Sequence, residues 1–457
     1  MSIIIKGGTI VTPRKSYISD IKIEGEIIVS IGENLEEDKS QIIDATGCLV
    51  FPGFIDSHTH LDLDTGYTRT ADDFKTGTAA AIIGGTTTIL DFATQNKGET
   101  LSEALNNWHN LSKNVSSCDY GFHMAITEWN EDIKNEIEIM CKEGITSFKA
   151  YMAYDNLRIN DGDIYDILKC LKKYNSILGV HCENGDLVDT MIKEQLCSGN
   201  TSPAAHPLSR PNMVEAEAVS RFIDIAYLAG APIYIVHLST KEALEVVLKA
   251  RKRGQTVYIE TCPQYLLLDD SLYLGEDFQS AKYVLSPPLR KKDDIERLWE
   301  ALLAEDIDII GTDHCSFNLK GQKEHGIKDF SKIPSGIPGI EHRPILMYTY
   351  GVEKGRITKE QMCSLVSENI AKIFGMYPRK GTLQVGSDAD IVIWDMLAER
   401  IISVDNQKQN VDYTPYEGFK TIGYAKQVFL RGSHIVEDGN IINENLGKYI
   451  KRGGNNV

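Results

Sequence analysis

Two histidines one residue apart, His58 and His60, close an apolar run in the stretch FPGFIDSHTHLDLD. On an extended strand, residues two apart project from the same face, so both imidazoles can aim at one spot. Two imidazoles converging at the polar end of a buried strand are the start of a transition-metal site. An isolated H-x-H is weak on its own, because histidines satisfied by backbone groups are common. Further candidate ligands stand at or near the ends of later apolar runs: Lys149 in SFKAYMAY, His181 in VHCEN, His237 in YIVHLS and Asp313 in GTDHCSF. Each has an ordinary alternative use. His181 or His237 can be a core histidine bonded to backbone, Asp313 can cap a helix, and Lys149 can be an exposed salt-bridging lysine. Their joint occurrence on one rim is what favours metal chemistry.

A repeating alternation of strand and helix must position these residues. Eight strand candidates fall at 51–58, 86–92, 119–125, 145–151, 177–182, 232–238, 256–261 and 306–311. Most are continuous Val- and Ile-rich runs, as expected of parallel strands buried on both faces. Helical patterns lie between them, at 72–84, 101–113, 130–143, 161–174, 213–229, 240–252 and 292–304. This pattern predicts an α/β chain with a (β/α)8 barrel over 51–375, whose chemistry sits at the C-terminal strand ends. A doubly wound open sheet is the structural alternative. Residues 1–50 and 376–457 are short strands and turns, and are expected to complete one small β-sandwich domain from both chain ends. A last amphipathic helix is expected over 358–375, and the polar tail from Asn443 reads as flexible or as an inter-subunit arm.

Composition narrows the partners. The chain has 457 residues, with 65 acidic against 48 basic and a formal net charge of −17. That balance argues against a nucleic-acid or anionic-membrane surface. The nine cysteines are scattered singly, as reduced cytosolic thiols are. The N-terminal stretch carries Lys6 within its apolar residues and reads as a strand, and no run reaches the length of a membrane span. A cytoplasmic enzyme is the expectation.

Four imidazoles and one carboxylate hold two divalent ions only if another group bridges them. A lysine ammonium has no lone pair to offer. Neutralising Lys149 at pH 7 costs about 4.6 kcal/mol from an ordinary lysine pKa, and burial beside cations lowers that cost. A neutral amine there could capture carbon dioxide as a carbamate with two coordinating oxygens; the sequence alone does not show this step.

Together with ETCPQYLLLD, LSPPLR and GSDADIVIWD, these motifs make the chain resemble the cyclic amidohydrolases, the dihydropyrimidinases and D-hydantoinases, over nearly its whole length and in the family's order. The likeness is greatest to phenylhydantoinase-like members. The resemblance implies that Lys149 is carboxylated (N6-carboxylysine) and bridges two zinc ions, with manganese or cobalt as alternatives. His58, His60 and Asp313 would ligate one ion, and His181 and His237 the other. Asp313 would also be the general base, Tyr154 the oxyanion donor, and Ser286 the main-chain anchor for the ring's amide edge. The implied reaction is hydrolysis of the ring amide of hydantoins or dihydropyrimidines to N-carbamoyl amino acids by a binuclear-metal-bound hydroxide. A homotetramer is implied as well.

The chain departs from the family pattern at two places. Ser335 stands where the family usually has asparagine, at a position that contacts substrate largely through backbone. The loop after His60 runs Leu63-Asp64-Thr65-Gly66-Tyr67 in place of a Met-Pro-Phe-like sequence. The loop from Leu61 to Arg69 is polar at Asp62, Asp64 and Arg69 and shapes the pocket for the ring's exocyclic group in the family, so with Tyr67 as an aromatic face it predicts preference for 5-aryl hydantoins. His314 and Cys315 read as supporting or packing residues. Allantoinase- or dihydroorotase-like activity is the neighbouring enzymatic alternative. A non-catalytic scaffold relative is the alternative of another class, and the presence of all six ligand positions argues against it.

Overall fold

Eight parallel strands, hydrogen-bonded in sequence order, form the sheet that carries the candidate ligands. They are Phe54–Thr59, Thr86–Thr94, Asp119–Ala125, Ser147–Tyr151, Ile177–His181, Ile233–Ile235, Val257–Thr261 and Ile309–Ile310. The computed structural model describes residues 2–35, 39–275 and 277–453. Nearly every strand residue is buried, which is why the runs are apolar throughout rather than alternating.

The first and last strands are joined into a barrel by a few specific contacts. Thr59 bridges His314, and His60 N–H donates to His314 O at 2.8 Å. Asp56 accepts from Thr312 N–H at 3.1 Å and from its hydroxyl at 2.7 Å. The buried Arg343 guanidinium donates to Ile55 O at 2.7 Å and Ile310 O at 2.8 Å. These bonds hold the strand bearing His58 against the one that leads to Asp313.

Helices between the strands start where the sequence supplies caps. Asp73, Thr100, Asn130, Asn160 and Thr240 each accept a backbone N–H from the first turn that follows. A further helix, Gly185–Cys197, stands outside the helical segments named from the sequence. Only Gly185 and Val188 of it are buried, so it shows little apolar stripe; its local signal is the Asn184 cap. The helix expected over 358–375 runs from Lys359 to Ile373 with a π-helical segment, Ser364–Glu368, in its middle.

The expected strand over 51–58 divides at Gly53. Leu49–Pro52 pairs antiparallel with Ile391–Trp394, while Phe54 onward enters the barrel. A Cβ at Gly53 would lie 2.0 Å from Thr87 Oγ1, so only glycine lets the chain pass there. Leu49–Pro52 thereby belongs to a nine-stranded mixed sheet built from both chain ends. That sheet covers its own core of Ile5, Ile10, Ile21, Val50, Ile391 and Phe429.

The tail is docked rather than free. Tyr120 N–H donates to Lys448 O at 3.0 Å, and Ile450 N–H to Tyr120 O at 2.7 Å. Ile450 joins Ile55, Leu90, Ile177 and Phe374 in the barrel's inner core. Arg452 is buried and donates to Ser147 Oγ at 2.8 Å. The tail's Leu446, Tyr449 and Ile450 and its Arg452 all find partners inside their own chain; residues 454–457 lie outside the described residues. No helix among the described residues is long and apolar enough to cross a membrane.

Candidate metal centre

His58 and His60, at the end of the first strand, converge on one carboxylate oxygen. Asp313 Oδ1 lies 3.2 Å from His58 Nε2 and 3.3 Å from His60 Nε2. His58 Nδ1 lies 2.6 Å from Glu260 Oε1, a hydrogen bond that puts the proton on Nδ1 and leaves the Nε2 lone pair facing Asp313. Glu260 is itself held by Ser57 Oγ at 2.8 Å, by His237 N–H at 3.1 Å and by the Tyr234 hydroxyl. Burial would raise the Asp313 carboxyl, but the two imidazoles outweigh it and hold the pKa below the ordinary value.

A second pair faces the first. His181 Nδ1 and His237 Nε2 are 3.0 Å apart, and the His237 ring centre is 5.4 Å from that of His58. His181 is oriented through Nε2, 2.8 Å from Glu183 Oε2, and Glu183 is in turn paired with Arg210. Burial alone would raise Glu183, yet Arg210 and the His181 hydrogen bond hold it down to about 2. His58, His181 and His237 are all pushed below the usual histidine range by burial, so they stand as neutral imidazoles at neutral pH.

Lys149 is buried in the fourth strand, in register with Gly179 of the fifth. Its Nζ sits 5.1 Å from the centre of the Phe92 ring, the same ring that stacks on His60 at 4.9 Å. Burial pushes its pKa down to about 8, against the opposing pull of Asp313 and Glu260. An exposed, salt-bridging lysine is therefore not what stands here.

Tyr154 stands beside the His181 imidazole, with the Ser286 side chain next to it and Ser335 next to Ser286. Tyr154 adopts a left-handed conformation, φ 67°, and its ring centre lies 5.1 Å from that of His181. Burial pushes its phenol up to about 12, so it remains a donor at neutral pH. The Ser286 and Ser335 hydroxyls are 3.3 Å apart although 49 residues separate them in sequence. In the loop after His60, Asp62 accepts Phe74 N–H at 3.0 Å, and Arg69 lies 3.6 Å from Asp64. Tyr67 is 58% exposed, with its ring edge-on to His325 at 6.3 Å. His314 Nε2 lies 3.2 Å from Asp72 and its Nδ1 accepts Gly339 N–H at 3.1 Å; Cys315 is buried.

Sequence reasoning missed Glu260 and Glu183 as orienting groups. Both stand inside the quoted motifs ETCPQYLLLD and VHCEN, but the partner imidazole of Glu260 is 202 residues away. The available signal was a carboxylate at the end of a buried strand, where an unpaired charge is costly.

These donors suit divalent metal. His58 Nε2, His60 Nδ1 and His237 Nδ1 are buried without a hydrogen-bond partner, and His58, His60 and Asp313 offer ligand atoms within 4.8 Å of one another. Imidazole nitrogens and a carboxylate are the ligand types zinc takes. A second acidic group, Asp119, Asp388 and Asp390, encloses Lys380 Nζ at 2.6, 3.0 and 2.6 Å and so already has its cation.

The model of the amidohydrolase family matches residues 49–432. The chain belongs to the amidohydrolase family. It is 47% identical over 455 residues to a D-hydantoinase of Geobacillus stearothermophilus, covering 99% of this chain and 97% of that protein. A D-phenylhydantoinase of Escherichia coli SE11 is 40% identical over 456 residues, at 99% and 98% coverage. The crystal structure of dihydropyrimidinase from Brevibacillus agri NCHU1002 superposes with a TM-score of 0.99 at 43% identity, over 100% of both chains. The (β/α)8 barrel with a companion sheet from both ends is thus the family's architecture in this chain.

Proposed function

We propose that this amidohydrolase opens the ring amide of cyclic ureides, hydantoins or dihydropyrimidines, to give N-carbamoyl amino acids. His58, His60 and Asp313 would hold one divalent ion, and His181 and His237 a second, with Lys149 as a carbamate between them; zinc fits the donor set best. When bound, the two ions supply Lewis acidity, polarising a carbonyl and acidifying a water. Asp313 accepts the proton of the attacking water and returns it to the leaving ring nitrogen. Tyr154, neutral at working pH, donates to the developing oxyanion. Main-chain groups of Ser286 and Ser335 hold the ring's amide edge. The observation that carries the reading is the buried Lys149 on the rim that also brings together His58, His60 and Asp313, and His181 and His237, its Nζ over the Phe92 ring that stacks on His60.

The names of the hydantoinase and dihydropyrimidinase relatives support this substrate class over allantoin or dihydroorotate. The reading extends, on the family resemblance, to a cytoplasmic homotetramer. Elemental analysis of the active enzyme, run beside a panel of cyclic amides followed by product chromatography, tests it. About two divalent ions per chain and ring opening of hydantoins or dihydrouracil are expected, with chelation abolishing turnover and added zinc restoring it. One ion or none in fully active enzyme overturns the binuclear site. Turnover of allantoin or dihydroorotate alone overturns the substrate assignment.

A further inference from the structure

One fully buried cation close to this site has no part in the chemistry above. Lys323 lies in the loop after the eighth strand, and its ammonium donates to Val284 O and to Pro334 O, each at 2.9 Å. Those carbonyls stand two residues before Ser286 and one before Ser335, the two serines whose hydroxyls meet at 3.3 Å. Gly336 N–H also donates to Val284 O, at 3.1 Å, so the two segments are tied together at one point. The preceding residue reaches a different segment. Gln322 Nε2 donates to Thr68 Oγ1 at 2.8 Å and to Arg69 O at 2.6 Å, gripping the loop that follows His60.

An ammonium enclosed with only carbonyl partners is an expensive way to fill space, and burial pushes Lys323 down to about 7. A methionine would occupy similar volume without that cost. What the Lys323 nitrogen adds, as amine or as ammonium, is directional bonding: its N–H groups fix two carbonyls relative to one another. It also polarises the Pro334–Ser335 peptide, making Ser335 N–H a stronger donor. Sequence neighbours with such different partners link the ring-binding segments to the loop that follows the metal-ligand histidines.

We propose that Gln322 and Lys323 form a clamp in which Lys323 is the positioning residue for the Ser286 and Ser335 segments and Gln322 fixes the loop around Thr68 and Arg69, which the cyclic-ureide reading sets at the ring's substituent. The inference rests on the cyclic-ureide reading above, and it deepens that reading by assigning ring recognition and substituent recognition to different residues.

The test is steady-state kinetics on metal-loaded enzyme with hydantoin, dihydrouracil and 5-phenylhydantoin. Lys323→Met is expected to raise KM for all three at least tenfold, with metal content unchanged and kcat per loaded site reduced much less. Lys323→Gln, which keeps a donor, is expected to fall between the two. Gln322→Leu is expected to raise KM for 5-phenylhydantoin at least fivefold more than for hydantoin. Wild-type KM in the Lys323 variants, or activity that falls only in proportion to lost metal, overturns the clamp and leaves a structural lysine. An equal effect of Gln322→Leu on all substrates overturns the division of labour. Should Lys323→Met fail to fold, Lys323→Gln is judged by the same criteria. Wild-type enzyme inert toward all three substrates defeats the cyclic-ureide reading, whereas active wild type with unshifted variants defeats the clamp alone.

Discussion

In the proposed binuclear site Lys149 faces the hardest chemical demand of any single residue, because an ammonium cannot ligate a metal or take up carbon dioxide. From an ordinary lysine pKa, neutralisation at pH 7 costs about 4.6 kcal/mol; from about 8 it costs only about 1.4 kcal/mol. Burial in the fourth strand thus removes most of the cost of the neutral amine that the proposal requires. Lys149→Ala is expected to lose metal and activity together, and Lys149→Arg not to rescue either, since guanidinium neither deprotonates nor coordinates. Elemental analysis beside kcat decides it: full metal and a near-normal rate in Lys149→Arg would make the lysine structural. In the same proposal Tyr154 presents the converse case, a side chain that must keep its proton, and burial holds it at about 12. Tyr154→Phe retains the ring and removes the donor. It is expected to lower kcat by about 10²–10³ while changing KM far less. A raised KM with intact kcat would reassign Tyr154 to substrate binding.

At the scale of elements, the site depends on how the first and eighth strands meet. The eighth strand has only two residues in its ladder, Ile309–Ile310, so closure rests on side chains together with the backbone contact of Thr59 and His60 with His314. Arg343 bridges both strands, donates to Thr86 Oγ1 at 3.2 Å and stands 3.8 Å from Asp56. Arg343→Met would leave the Ile55 and Ile310 carbonyls without their donor and the Asp56 carboxylate without its countercharge. Breaking such a buried pair from one side is expected to cost about 3–5 kcal/mol, read by denaturant unfolding. Weaker metal retention is expected with it, because His58 and Asp313 are anchored on either side of that seam. A loss below about 1 kcal/mol would show that the Asp56–Thr312 and Thr59–His314 contacts close the barrel unaided.

For the molecule as a whole, pH should act through histidines away from the metal centre. His206 is buried with Nε2 2.7 Å from Leu285 O, and His342 is buried with Nδ1 3.4 Å from Gln409 Nε2. Burial pushes both down to about 3 from an ordinary 6.5. Between those values the unfolded chain binds a proton at each that the folded chain does not. Stability is therefore full above pH 6.5 and falls as pH drops toward 3, by about 1.4 kcal/mol per pH unit for each histidine. Denaturant unfolding at pH 7, 6 and 5 is expected to show that slope, and His206→Gln to reduce it by about one proton's worth. An unchanged slope in the variant would mean that His206 titrates normally in the fold.

The sequence by itself determined the class of fold and named the candidate donors that the fold then brings together. Both are local properties: Val- and Ile-rich runs of strand length, capped helices between them, and histidines set two apart on one strand. The repeated motifs also sufficed for the family. Tertiary structure alone decided which distant groups meet. Glu260 reaches His58 across 202 residues, and the Ser286 and Ser335 hydroxyls meet across 49. No periodicity encodes such pairings, because they follow from the register in which the sheet closes. The same holds for the apolar run that splits at Gly53, where the close approach of Thr87 divides two sheets, and for the tail, where Ile450 finds the barrel's inner core. In the loop after His60, the residue types suggested a polar pocket wall, but Asp62 turns to the N-terminus of the helix Phe74–Ile83 and Arg69 to its own loop. Charged side chains take the nearest unsatisfied partner, and which partner is nearest is a fact of three-dimensional packing.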